Sequence, residues 1–468
     1  MDRYSPTPSS WLKAAAAAAR WSLRCVLFAG AVFALVWGGR HWVIVPRIDE
    51  IRPLLESRAT QLLGARVQIG AITAESSGTL PSFELTEVRL FDTQNREALR
   101  LPRVLATLSP RSLLALSFDQ LLVEQADLDI RRTPQGRWLV AGLDLSQAAQ
   151  DDGRAADWFF SQPELVVRRG TLNWTDELRA APPLALSDVD LVVRYRARRH
   201  SLRFDATPPA DWGQRFRVMA VLRQPPLTLA NGRWREWEGE LYAGFEQIDL
   251  SRLRPYVDLG VDVAQGRGAM RAWADVRRAD ITSATFDLAL SDVTATLQPG
   301  LEPLHLSSLA GRLGGYQDVA GFDVGTEALQ FVTADGLAWP GGNVRLKHRY
   351  AQAGPQPTGA MVPARTELEA DRLELAALGQ VARRVPLDGQ VHALLDRLAP
   401  AGLVEKLSAR WQGGLQAPEQ LEAKGRLLGL AFNADASRQL PGAQGVSLDF
   451  DLSPKGGKAT VAIDNGAL

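Results

Sequence analysis

Leu184-Ala185-Leu186-Ser187-Asp188-Val189 recurs letter for letter as Leu288-Ala289-Leu290-Ser291-Asp292-Val293, and more loosely as Phe83-Glu84-Leu85-Thr86-Glu87-Val88. The starts are 101 and 104 residues apart. Two copies follow a Gly-led segment with a Trp: Gly170-Thr171-Leu172-Asn173-Trp174 and Gly268-Ala269-Met270-Arg271-Ala272-Trp273. Chance likeness between strand-rich segments is the competing reading. Three copies near one period read instead as a structural repeat, in which stacked strand units share a continuous core.

Outward from these copies, apolar and polar residues alternate. Val189, Leu191, Val193 and Tyr195 alternate with Asp190, Val192, Arg194 and Arg196, and Phe216, Val218, Ala220 and Leu222 with Arg215, Arg217, Met219 and Val221. Val446, Leu448, Phe450 and Leu452 alternate with Ser447, Asp449, Asp451 and Ser453. Period two marks half-buried strands, and clusters such as Pro225-Pro226, Asn231-Gly232 and Pro340-Gly341-Gly342 end them. Two stretches keep helical period. Residues 47–64 carry Ile48, Ile51, Leu54, Leu55, Leu62 and Leu63 on one stripe, with Pro53 as a kink or the true first turn and Gly64 as a C-cap. A helical island is expected from Asp371 to Leu398, interrupted by Pro386 and Gly389.

Residues 25–39 carry no charge, and the apolar flanks extend this run to Trp21–Val45, ended by Pro46. That length spans a bilayer core of about 30 Å. Trp21, Leu23, Val26, Leu27, Phe28, Val32, Phe33, Leu35, Val36, Trp37 and Trp42 are the expected anchor residues, the tryptophans at the interfaces. Arg3, Lys13, Arg20 and Arg24 precede the core and predict a cytoplasmic N-terminus with the remainder translocated. A cleavable signal peptide is the rival, but Val36-Trp37-Gly38-Gly39-Arg40 offers no small-x-small site.

The 468 residues carry 53 Lys+Arg and 53 Asp+Glu, a zero balance that argues against a nucleic-acid binder. Cys25 is alone, and His41, His200, His305, His348 and His392 show no metal-ligand spacing, so no metal, cofactor or catalytic residue is expected. No GxGxxG after a strand, P-loop, GxSxG or HExxH occurs. Arg198-Arg199-His200 reads as a hairpin tip or as a headgroup contact. The apolar strand faces fit either a two-sheet sandwich or an open sheet whose groove takes acyl chains, each buried CH₂ contributing about 0.8 kcal/mol.

Leu63-Gly64-Ala65-Arg66-Val67-Gln68-Ile69-Gly70 is similar to the opening of the AsmA-like superfamily. Leu165–Leu172 followed by Leu184–Val189 looks like its recurrent "G-x-L … L-x-L-x-x-V" unit. The stretch from Glu369 to Leu375, through Leu394–Gly402 to Ala409–Gly413, resembles the central region of the YhdP family within it. The resemblance implies a mainly β fold. A transmembrane helix would lead into an elongated, twisted, groove-like antiparallel sheet with a few amphipathic helices. The expected divisions are 1–20 cytoplasmic, 21–45 anchor, 46–64 amphipathic helix, 65–366 repeating β-groove, 367–413 helical insertion with flanking strands, and 414–468 further strands. Family members are much longer, so the chain is expected to be an N-terminal fragment.

The resemblance further implies a bridge in the Gram-negative inner membrane, single-pass with its bulk in the periplasm. It would move phospholipids towards the outer membrane without chemistry. Its partners would be phospholipids, the inner membrane and, through a missing C-terminal region, the outer membrane or its proteins. Val189, Leu191, Val193, Phe216, Val218, Leu222, Phe286, Leu288 and Leu290 are the candidate groove lining. The alternative is a periplasmic scaffold or assembly factor that offers sheet edges to outer-membrane proteins or envelope complexes. An anchored hydrolase would require His305 or His348 beside Ser and Asp.

Overall fold

The computed structural model describes residues 48–467 apart from 64, 76–81, 92–94, 96, 108–117, 141–142, 145–153, 227, 229–230, 258–260, 340, 354–360, 383, 385–388, 416–417 and 436–438. Before residue 48 it describes only Trp21, Phe28 and Gly30, each helical. The rest of the expected anchor and the Gly64 cap lie outside the described residues. Among the described residues no helix is long and apolar enough to cross a membrane. The chain is mainly strand and divides into two compact units, Met1–Leu121 and Leu122–Leu468.

In the first unit α1 (Ile48–Leu63) precedes β1 (Arg66–Gln68), β2 (Ala71–Glu75), β3 (Ser82–Phe91) and β4 (Glu97–Thr107). Pro53 lies inside α1. The helix meets its strands through polar groups: Glu56 accepts from the Ile69 amide at 2.7 Å, Thr60 from the Val67 amide at 3.0 Å, and Arg52 donates to the Gly70 carbonyl at 3.0 Å. Leu54 and Leu55, on the expected apolar stripe, are exposed. Both β1 and β2 pair with β3, and the break between them faces Glu87, whose φ is 54°.

β5 (Gln120–Glu124) leads into the second unit. There β6 (Asp127–Arg132), β7 (Trp138–Val140) and β8 (Leu143–Asp144) precede α2 (Arg154–Ser161). The main ladder is β9 (Glu164–Asp176), β10 (Leu184–Arg196), β11 (Arg199–Thr207), β12 (Phe216–Arg223), β13 (Glu238–Asp249), β14 (Asp262–Arg277), β15 (Asp280–Thr296), β16 (Leu304–Asp318) and β17 (Gly321–Thr333). The short β18 (Ala338–Trp339) pairs with β17, and β19 (Val344–Arg349) continues the ladder. β20 (Gln352–Ala353) and β21 (Met361–Val362) form a separate two-stranded sheet. β22 (Arg365–Glu374) leads through α3 (Leu375–Ala382) and α4 (Gly389–Leu398) to β23 (Ala401–Gly413), β24 (Pro418–Phe432), β25 (Ala443–Ser453) and β26 (Gly456–Ala467). From β9 onward the ladder pairs are antiparallel, whereas β6 runs parallel to β9. The helical island thus begins at Leu375; Asp371–Glu374 remain in β22, where Leu373 packs into the core.

The strands bend at bulges, and the repeated hexapeptide encodes one. A bulge inserts an extra residue, so the inward positions step by three instead of two. Leu186 and Val189 are both buried, as are Leu290 and Val293. Between them Asp188 has φ 47° and Asp292 φ 52°, in the left-handed region that Asp tolerates better than most residues. The step recurs as Phe245/Ile248, Val404/Leu407 around Lys406 (φ 53°) and Leu427/Leu430 around Gly429 (φ 59°), each with a register shift. Side chains satisfy amides freed at the bulges. Asn343 accepts from the Ala328 amide at 2.9 Å and is itself held by Asp371.

The register gives the repeated hexapeptide two orientations. β10 and β15 are separated by five antiparallel steps, so the identical hexapeptides run in opposite directions. Their Trp contexts differ too. Trp174 lies opposite Leu184 and against Trp138, whereas Trp273 lies beside Tyr242 on the opposite, charged face.

On the bulge side of the strands the apolar face is covered. Leu250, in a short 3₁₀ turn, closes over Ile248, Val263, Leu290, Val293, Ala295 and Leu306. Ala377 of α3 closes over Trp339, Ala370, Leu373 and Val404.

Candidate functional site

Away from the bulges, the apolar face of the second unit continues as rows of side chains perpendicular to the strands. One row runs Leu165, Val193, Leu202, Ala220, Leu241, Ala274, Ala284, Gly315, Val324, Leu346, Leu368, Ala409, Ala423, Leu452. It crosses fourteen strands without a polar side chain. A second row, nearer the bulges, runs Val167, Leu191, Phe204, Val218, Ala243, Ala272, Phe286, Leu313, Thr326, Val344, Ala370, Leu407; only Thr326 is polar. Exposure rises along β15 from 6% at Leu290 through 37% at Phe286 to 65% at Ile281. Val324 and Leu452 are exposed as well.

The opposite face carries ion pairs, some in register and some diagonal or along one strand. Arg312 bridges Asp287 at 2.6 Å and Glu327 at 3.4 Å. Arg345 meets Asp323, Arg426 meets Asp449, and Arg203 and Arg217 converge on Asp205. Hydrogen bonding from Arg312 holds the Asp287 carboxyl below the ordinary carboxylate range. The apolar side therefore faces away from these charges, since neighbouring residues of a strand point to opposite faces.

The nine candidate lining residues all lie on the apolar face, in different surroundings. Leu191, Val218 and Phe286 stand in the second row and Val193 in the first. Leu222 lies nearer the hairpin tips, opposite His200. Leu288 packs at the margin of the covered core, Phe216 rests against Phe245 at 5.2 Å, and Val189 and Leu290 are core residues. The candidate lining left out Leu202, Leu241, Leu346, Leu368 and the small residues between them. The three-residue apolar step was the usable signal, because it resets the parity that says which residues share a face.

A covered patch interrupts the open face beside the β10–β11 turn. His200 is 4% exposed, stacked between Tyr195 (4.6 Å) and Trp237 (3.8 Å) and capped by Phe160 of α2. Among the described residues neither ring nitrogen has a partner, and burial pushes its pKa down to about 4. His348 meets the buried Thr366 hydroxyl at 2.9 Å, and His305 meets Thr294 at 3.2 Å. Among the described residues neither histidine pairs with a carboxylate, and no group of three His, Cys, Asp or Glu is placed to hold a metal. Of the expected anchor residues only Trp21 and Phe28 are described, both exposed.

A large sheet with one charged face and one continuous apolar face is the class of protein these observations define. The family model described as YhdP protein matches residues 10–468, and the chain belongs to that family. No curated protein and no solved structure matches it.

Proposed function

We propose that the apolar face of the second unit is a groove for acyl chains, along which an inner-membrane-anchored periplasmic protein moves phospholipids towards the outer membrane. The observation that carries this reading is the fourteen-strand row with no polar side chain. A two-sheet sandwich would bury such a row, yet Val324 and Leu452 in it, and Phe286 in the row beside it, stay substantially exposed. The driving force is desolvation of hydrocarbon, non-directional and proportional to area, so a chain slides along the row without a chemical step. Headgroups remain at the hairpin side, where turns such as Ala197-Arg198 and Arg278-Ala279 carry charge.

The test places a photo-crosslinking amino acid at Leu241, Ala284 or Leu368, and at Thr285 on the charged face. Phospholipid adducts at the first three and none at Thr285 are expected. Polypeptide adducts at the first three would favour a scaffold and sink the conduit. L241D and A284D should abolish transfer while the protein still folds, since both sites lie outside the covered core.

A further inference from the structure

The arginines at the β10–β11 turn break the charge pattern of the sheet. Arg196 lies opposite Arg199, and Arg199 opposite Arg223, so three cations occupy one row on adjacent strands. Like charges directly opposed are destabilising. Elsewhere on this face the opposed cations Arg349 and Arg365 each meet a carboxylate, Asp318 and Glu367, and Arg312 lies opposite Asp287. Among the described residues none of the three arginines forms an ion pair. Glu238, which faces Arg223, is engaged with Arg277 at 3.8 Å, and Glu164 with Arg194 at 2.7 Å.

A second hairpin serves as an internal control. The β10–β11 turn is Ala197-Arg198, with φ 49° and 66°; the β14–β15 turn is Arg278-Ala279, with φ 53° and 65°. Both are two-residue turns in a conformation that normally selects Asn-Gly. The second is flanked by Arg277 and Asp280, which balance; the first is flanked by Arg196 and Arg199, which do not. The unbalanced tip is also held in place, because Arg198 donates to the carbonyls of Pro225 (2.8 Å) and Pro226. The next row inward, Tyr195, His200 and Leu222, is the patch covered by Phe160 and Trp237, and the apolar row through Val193, Leu202 and Ala220 follows it on that face. Cations at the strand ends of a sheet whose one face is apolar suit an amphiphile whose head is an anion.

We propose that Arg196, Arg199 and Arg223 form a binding site for the phosphate of a phospholipid headgroup. Opposed Cα atoms lie about 5 Å apart, so three guanidinium forks can converge on one phosphate. The proposal rests on the acyl-groove reading for the lipid's tails, but the site's own chemistry is separable from it.

The full chain in a neutral detergent is titrated with dihexanoylphosphatidylglycerol, and separately with inorganic phosphate, following ³¹P line broadening. Wild type should broaden the lipid signal. The triple variant R196Q/R199Q/R223Q should weaken binding about ten-fold or more, and a triple Arg→Lys variant should fall between them, losing the fork but keeping the charge. R278Q at the balanced tip should match wild type. L241D should still bind the short-chain lipid, which separates this site from the acyl path. Equal binding by the triple Gln variant and wild type, or equal weakening by R278Q, overturns the site. Inorganic phosphate binding as tightly as the lipid overturns the headgroup assignment.

Discussion

The two halves of a strand such as β15 are built from the same residue types and do opposite things. Beyond Leu288, towards the bulge, Leu290, Val293 and Ala295 are locked under Leu250. Towards the turn, Phe286 and Ile281 lie on the same face and stay open. Apolar alternation makes a face, and what covers the face decides whether it is core or surface. The bulge is where one regime changes to the other.

Substitutions in the two halves test this contrast most directly. L290A should lower unfolding free energy by about 2–4 kcal/mol, because it leaves a cavity in packed surroundings, and F286A by less than about 1 kcal/mol. Urea melts of both variants measure the gap, and equal losses would erase the distinction.

The next largest effect concerns His200, where the open half is locally covered. Its pKa is lowered in the folded state, so between pH of about 6.5 and 4 the unfolded chain binds more protons. Stability from the neutral imidazole is complete above about 6.5 and is lost as pH falls towards about 4, by on the order of 1–3 kcal/mol. H200F should flatten that part of the stability-against-pH curve. If wild type and variant lose stability in parallel, the stack does not hold a neutral histidine.

At the bulge, D292V places a β-branched side chain at φ 52° and should cost roughly 1–2 kcal/mol. D292G should be close to neutral. A D292V melt unchanged from wild type would mean that the bulge is not fixed by this residue. The smallest effect is expected on the charged face. R312A breaks two partly exposed ion pairs and should cost less than about 1 kcal/mol, further reduced at high salt.

The strand class, the amphipathic faces and the helix of residues 48–63 were legible from period alone. So was the parity of Leu191, Val193, Val218 and Phe286. The meaning of the repeated hexapeptide was not. Leu186-to-Val189 spacing looks like a lapse in alternation until a register shows that an extra residue keeps both on one face. Strand direction is invisible to letter matching, so two copies running oppositely looked like one unit repeated. Burial was illegible for a related reason: Leu290 and Leu191 have the same local pattern, and only the distant Leu250 separates core from open row. Of the stripe of α1, the described Leu54 and Leu55 face solvent, while Glu56, Thr60 and Arg52 bond to the strands.

The apolar row takes one residue from each strand, so its length is counted in strands rather than in residues. At about 4.8 Å per strand, fourteen strands give a contour near 60 Å. Excising one hairpin in register would remove about 10 Å and leave the row unbroken, whereas one misplaced charge stops it at a single step. Such a path is lengthened by duplication and cut by point mutation, which makes its span and its continuity independently heritable.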